Sequence, residues 1–299
     1  ANQAMLRDTA GNDTFTAAPG LATHATPALG YRKELRNFQT VLGFGGQGSD
    51  TATRTGSAGN DPFTAVTGLA TISPTAGHTC RAKDFGAVIG RAGAGGTDVA
   101  TLVGDNGADY LTVSGASNTA EARTTLMAVA GGAYQRADGF FTVNVHGKGG
   151  TDIAKFGDSP LNDTFIASST QAEIKTPVFN VVTTSFEDVT ATATSGTDMA
   201  VLTDAPGTNR LDAWPAAATL TGSAGYSLTV KNFDNVLATR VYGSSNTASL
   251  NDSVGNDLFV GTPTQATLSR NGYYWIRAKA FHYVFANATA GGVDTAQLI

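Results

Sequence analysis

Cysteine is almost missing from this chain: Cys80 stands alone among 299 residues, so no internal disulfide framework can staple the fold. Its scarcity leaves the compartment open, because exported bacterial proteins also avoid cysteine. Charge is scarce as well. Only 14% of residues are Asp, Glu, Lys or Arg, and their sum is −5. Without a basic excess there is nothing to hold a phosphate backbone, which excludes nucleic acid as a partner. No apolar run approaches the roughly 18–20 residues that cross a bilayer, so no membrane span is expected. The long helix-forming side chains of a bundle are few, as are the charges that disperse a disordered chain, and both classes drop out. The opening stretch ANQAMLRDTAGND lacks the charged-then-apolar order of an export signal, which predicts either a removed signal or a piece of a longer polypeptide.

What is abundant is glycine, 36 residues of it, together with Ala and Thr, and these recur in a fixed order. The last position of D-x-A-x-L falls at Leu6, Arg54, Leu102, Phe156, Leu202, Leu250 and Leu298. The phrase GNDxF ends at Phe15, Phe63, Leu111, Phe165, Leu211 and Phe259. A third marker, F-x-x-V, begins at Phe38, Phe85, Phe140, Phe186, Phe233 and Phe281. All three keep one register, so the chain is six tandem copies of a unit of about 48 residues. Their approximate bounds are 2–49, 50–97, 98–151, 152–197, 198–245 and 246–293, with 294–299 opening a further copy of a single continuous solenoid.

Inside each unit short apolar alternations such as NTASL and QATLS are separated by Gly, Asn, Asp, Ser or Pro, which is a strand-and-turn pattern. One segment, 117–132, reads as an insertion carrying one short helix. A propeller and a chain of small β-domains share this period. A β-solenoid fits better, because identical residue types return at identical phase, as stacked coils require. The expected fold is therefore all-β, a right-handed parallel β-helix with about two coils per unit and three strands per coil. Twelve coils would make a rod on the order of 60 Å. The GNDxF and F-x-x-V residues would form its internal aromatic-aliphatic stack.

Asn and Asp beside Gly in GNDxF suit a tight corner, where their side chains bond their own backbone. The second carboxylate series, Asp50, Asp98, Asp152, Asp198 and Asp294, tolerates Asn246 and so reads as a turn-capping ladder. The phrase also resembles the glycine-rich, Asp-containing repeats of secreted hemolysin-type calcium-binding proteins. That resemblance implies a Ca²⁺ role for Asp13, Asp61, Asp109, Asp163 and Asp257, with help from Asp8, Asp105, Asp158, Asp204 or Asp252. The departure is spacing: that family repeats its motif every nine residues, whereas these aspartates recur once per unit.

No catalytic constellation emerges, and no resident cofactor is expected beyond Ca²⁺. His24, His146 and His282 lie at different phases and make no spaced metal set, His78 takes an aromatic position, and Cys80 reads as an inert buried thiol. The glycine-rich GFGGQG at 43–48 opens no helix and is not a nucleotide loop. Basic residues recur at one phase, in CRAKD, YQRAD and WIRAKAF, so Arg81, Lys83, Arg136, Arg277 and Lys279 are expected to form a solvated stripe able to touch an acidic polysaccharide. The chain opens and closes at the same phase, without atypical capping units, which predicts head-to-tail self-association or continuation in a longer chain. With DTAGNDTF, DSVGNDLF, NFDNV and the GGTD and GGVD junctions, the chain resembles the repeat arrays of very large exported bacterial surface proteins, solenoid adhesins and stalk fibres. That resemblance implies an extracellular or cell-surface location and a non-catalytic structural or adhesive role. A polysaccharide-binding or polysaccharide-cleaving β-helix is the alternative.

Overall fold

A computed structural model describes residues 2–73, 77–243 and 245–299. It is a β-solenoid of stacked coils, 54% strand and 2% helical, with about eight turns. The chain divides into two compact units, residues 1–152 with 178–184, and residues 153–177 with 185–299.

In the first unit, strand Gln3–Arg7 lies in one sheet. The chain then crosses and lays down a three-strand meander, Thr14–Ala18, Leu21–Thr26 and Tyr31–Arg36, in the facing sheet. It returns as Thr40–Phe44, parallel to Gln3–Arg7. The next repeat starts on the other side. Thr51–Thr55 stacks parallel on Thr14–Ala18, and its meander, Phe63–Val66, Leu69–Ile72 and Thr79–Lys83, lies in the first sheet. The third repeat switches sides again, with Val99–Val103 and Thr142–His146 flanking a meander of Asp109–Ser114, Arg123–Ala128 and Tyr134–Asp138. Asn180–Thr184 closes the unit by pairing parallel with Thr142–His146.

The second unit repeats the plan. Met199–Thr203 and Asn235–Thr239 pair in one sheet, while Asn209–Trp214, Ala217–Gly222 and Tyr226–Lys231 form a meander in the other. The following meander, Leu258–Gly261, Gln265–Arg270 and Tyr274–Lys279, lies on the opposite sheet. Each repeat thus contributes five strands and changes sheet an odd number of times. This is why the coil count is about eight rather than twelve: one strand of each repeat folds back antiparallel instead of advancing the coil. The expected short helix within 117–132 shrinks to a 3₁₀ turn at Thr119–Glu121, because Arg123–Ala128 is claimed by ladders on both sides.

Because side chains alternate across a strand, every second residue faces the space between the sheets. Ala100 and Leu102, Ala200 and Leu202, and Ala248 and Leu250 are fully buried in this way. The expected stack needs correction. Phe15 and Phe63 lie on opposite sheets, so successive GNDxF residues do not pile on one another. Phe15 instead meets Phe85 at 5.9 Å between ring centres, Phe63 meets Phe140 at 5.9 Å, and Phe165 meets Phe233 at 6.2 Å. The motif residue of one repeat therefore packs against the F-x-x-V residue of the next. Leu111, Leu211 and Phe186 are buried as expected, but Phe38, Phe259 and Phe281 are only half-buried, because they sit in the outermost coils of their units.

Among the described residues the inward strand positions include polar Thr26, Thr124, Gln135 and Thr183, and two others carry a basic side chain. In the meanders the GNDxF residue faces Ile72, Leu126, Ile174, Leu220 and Leu268 in turn, but Phe15 faces His24. Arg54 fills a Leu position, fully buried, with its guanidinium 6.0 Å from the Phe15 ring centre.

The residue before each F-x-x-V phenylalanine turns left-handed, at Asn37, Asp84, Gly139, Ser185, Asn232 and Ala280. Ala280 is the poorest choice among them, with φ 63°. Ala280→Gly is expected to raise stability by about 0.5–1 kcal/mol in urea unfolding. At Gly196, φ is 121° and a Cβ would lie 2.3 Å from the Leu161 carbonyl oxygen. Gly196→Ala is expected to cost roughly 2–4 kcal/mol in the same measurement.

Candidate metal centre

The most polar buried place in each repeat is the corner that leads into its meander. Glycine and a short side chain let the backbone turn there, and the turn's own N–H groups then need acceptors. The motif aspartate supplies one acceptor: Ser57, Ser159 and Ser253 each donate their N–H to the aspartate four residues on, at 2.6, 2.8 and 2.9 Å. The motif residue's own N–H goes to the second carboxylate series. Asp13 donates to Asp50 at 2.8 Å, Asp61 to Asp98 at 2.7 Å, Asp109 to Asp152 at 2.8 Å, Asp163 to Asp198 at 2.8 Å and Asp257 to Asp294 at 2.9 Å. The expected capping role of the second series is therefore visible in every copy. Asn209 and Asn246 make the same bond at 2.8 Å.

A third carboxylate joins in three repeats. Asp8, Asp13 and Asp50, then Asp158, Asp163 and Asp198, then Asp252, Asp257 and Asp294, each bring oxygens within 4.8 Å of one another. At an effective dielectric near 20 each such pair of charges repels by about 3 kcal/mol. Burial pushes Asp198 up to about 6 against the Asp163 N–H that it accepts, with Asp158, Asp163 and Asp234 adding to the rise. Asp8 is raised by burial and then by Asp50 and Asp13. Burial also opposes ionised Asp13, but the Thr26 hydroxyl and the Thr9 N–H and hydroxyl outweigh it and hold that carboxyl below its ordinary value.

The fifth repeat solves the charge problem with amides. Asn246 donates Nδ2 to Asp204 at 2.7 Å, Asn209 donates to the Ala205 carbonyl at 2.7 Å, and the Tyr226 hydroxyl donates to Asn209 at 2.7 Å. In the second and third repeats Gly56 and Gly104 stand in place of the first aspartate, although Asp105, next to Gly104, still raises Asp109. A Cβ at either glycine would lie 2.5 Å from Asp61 or 2.1 Å from Asp109. Of the five aspartates expected to bind a cation, Asp13, Asp163 and Asp257 thus sit in three-carboxylate corners with oxygen donors that suit a hard ion. Among the described residues Asp61 and Asp109 belong to no such close group of three, although Asp105 acts electrostatically on Asp109. Sequence reasoning missed that the two aspartate series meet, because their members stand 35 to 43 residues apart in the chain.

The basic residues do not make one stripe. In the first unit Arg81 and Lys83 project from one sheet and Arg136 from the facing one, a direct result of the side switch between repeats. Arg136 bonds Asp138 at 3.0 Å, and Arg123 bonds the same carboxylate at 3.2 Å. In the second unit Arg277 lies over the Trp275 ring at 5.0 Å and Lys279 is exposed on the same strand. Arg277, Trp275, Arg270 and Tyr273 line an open groove of about 1150 Å³. Burial pushes the Cys80 thiol up to about 11, as an inert core thiol requires. His78 is half-buried with Nδ1 3.4 Å from the Phe38 carbonyl, and His146 and His282 are exposed.

No protein-family model matches the chain, and no curated protein resembles it in sequence.

Asp109 offers a pH test, since burial and then Asp105 push its carboxyl up to about 6. A folded value above the unfolded one, near 4, means that the folded state holds this proton more tightly. That stabilisation is present below pH 4 and is lost as pH rises to 6. Asp109→Asn copies the amide of Asn209 and removes the effect. The melting temperature of the variant minus that of the parent is expected to climb between pH 4 and 6 and to level off above, in calorimetric scans.

Proposed function

We propose that this chain is a non-catalytic structural element of an extracellular or cell-surface repeat protein, a stiff β-solenoid spacer that extends or assembles into a fibre. The observation that carries the reading is the coil-to-coil aspartate bond, made with the same geometry in repeat after repeat. It serves the persistence of the stack. Edge strands fit the same role. Tyr283–Asn287 and Thr295–Leu298 are edge strands with Phe285 (57%) and Leu298 (84%) exposed, and an uncovered edge strand is able to pair with a second copy. In sedimentation velocity the parent is expected to form concentration-dependent elongated oligomers, and Phe285→Lys with Leu298→Asp to return it to monomer. A parent that stays monomeric at every concentration counts against assembly.

The groove over Trp275 and Tyr273 favours a second reading, adhesion to an acidic polysaccharide. Indole and phenol faces suit sugar rings, and Arg270 and Arg277 suit carboxylates. Trp275→Ala is expected to weaken binding to a uronic-acid polysaccharide at least tenfold, measured on immobilised glycan. Equal binding by parent and variant removes this reading.

A further inference from the structure

His24 is the residue that the repeat does not explain. Its five counterparts in the meander, Ile72, Leu126, Ile174, Leu220 and Leu268, are aliphatic and fill the core. His24 is 0% exposed, and neither ring nitrogen has a hydrogen-bond partner. A buried, unsatisfied imidazole is unfavourable against an aliphatic residue of similar shape. Its Nε2 points at the three-carboxylate corner of its own repeat, 3.9 Å from Asp13 Oδ1. On the same corner Asp8 Oδ2 is also buried without a partner.

We propose that Asp8, Asp13, Asp50 and His24 form a binding site for one divalent transition ion of the Zn²⁺ or Co²⁺ type. One nitrogen and three carboxylate oxygens make the four-donor set that such borderline ions take, whereas the oxygen-only corners of the fourth and sixth repeats suit harder cations. Donors of a single ion stand roughly 3–4.5 Å apart; the three carboxylates bring oxygens within 4.8 Å of one another, and His24 Nε2, 3.9 Å from Asp13 but outside that group, closes on Asp8 and Asp50 when the ion binds. The ligands are already braced from behind. Thr26 donates its hydroxyl to Asp13 Oδ1, Thr9 donates its N–H to Asp13 Oδ2 at 3.1 Å, and Asp50 accepts from the Asp13 N–H at 2.8 Å and the Gly46 N–H at 3.1 Å. Such outer bonds hold ligands in place for a metal. The fold-back of the meander supplies the nitrogen: it sets position 24 opposite position 15, beside Asp13.

The test uses the full chain, stripped with chelator and titrated with Co²⁺ and with Zn²⁺. The parent is expected to gain a visible Co²⁺ absorption band at one equivalent, displaced by Zn²⁺, and a melting temperature several degrees higher with Zn²⁺. His24→Leu restores the residue type of the other repeats and so keeps the fold. It is expected to abolish the band and weaken Zn²⁺ binding at least a hundredfold. Asp8→Gly, which copies Gly56, is expected to do the same, while Asp198→Asn in another corner leaves the band intact. A parent without the band, or a band that survives His24→Leu, overturns the proposal.

Discussion

A backbone N–H donated to a buried carboxylate one coil away is the interaction on which this molecule rests. The donor is the motif residue of GNDxF, and the acceptor stands at the start of the next repeat. A bond to a charged acceptor is worth about 1.5–3 kcal/mol net when buried, and leaving either partner alone costs as much again. The bond fixes where each coil begins relative to its neighbour. The inward apolar residues then fall into place without a register choice of their own, because a one-residue slip would turn them all outward.

The same corner carries the molecule's electrostatic tension. Capping every turn with carboxylates concentrates negative charge where water is excluded, and repeats relieve it differently: by glycine at Gly56 and Gly104 and by amides at Asn209 and Asn246. Two solutions on one backbone amount to an internal series of substitutions. They separate the capping function, present in all, from whatever the third carboxylate does.

Side switching sets the second constraint. Since each repeat changes sheet an odd number of times, a feature that recurs every 48 residues in the chain alternates between two surfaces. Within each unit, neighbouring repeats share a core but not a face. Aromatic packing therefore runs from Phe15 to Phe85 and from Phe63 to Phe140, joining unlike positions of consecutive repeats. Within a unit, a ligand surface on one sheet is built from every second repeat.

Periodicity, strand alternation and turn chemistry were legible in the residues themselves, since stacked coils demand the same side chain at the same phase: the six repeats, the β-solenoid class, the buried Leu102, Leu202 and Leu250, and the capping role of Asp50, Asp98, Asp152, Asp198 and Asp294 all follow from that. What only tertiary structure decided are relations across the chain. The antiparallel middle strand of each meander has no signature distinct from its neighbours, so the coil count and the side switch were hidden, and with them the true partners of Phe15 and Phe63. The joining of Asp8 with Asp13 and Asp50, and the pointing of His24 into that corner, depend on two chain reversals and one coil-to-coil contact. Spacing along a sequence cannot encode such a meeting, because it is set by how sheets close around a core.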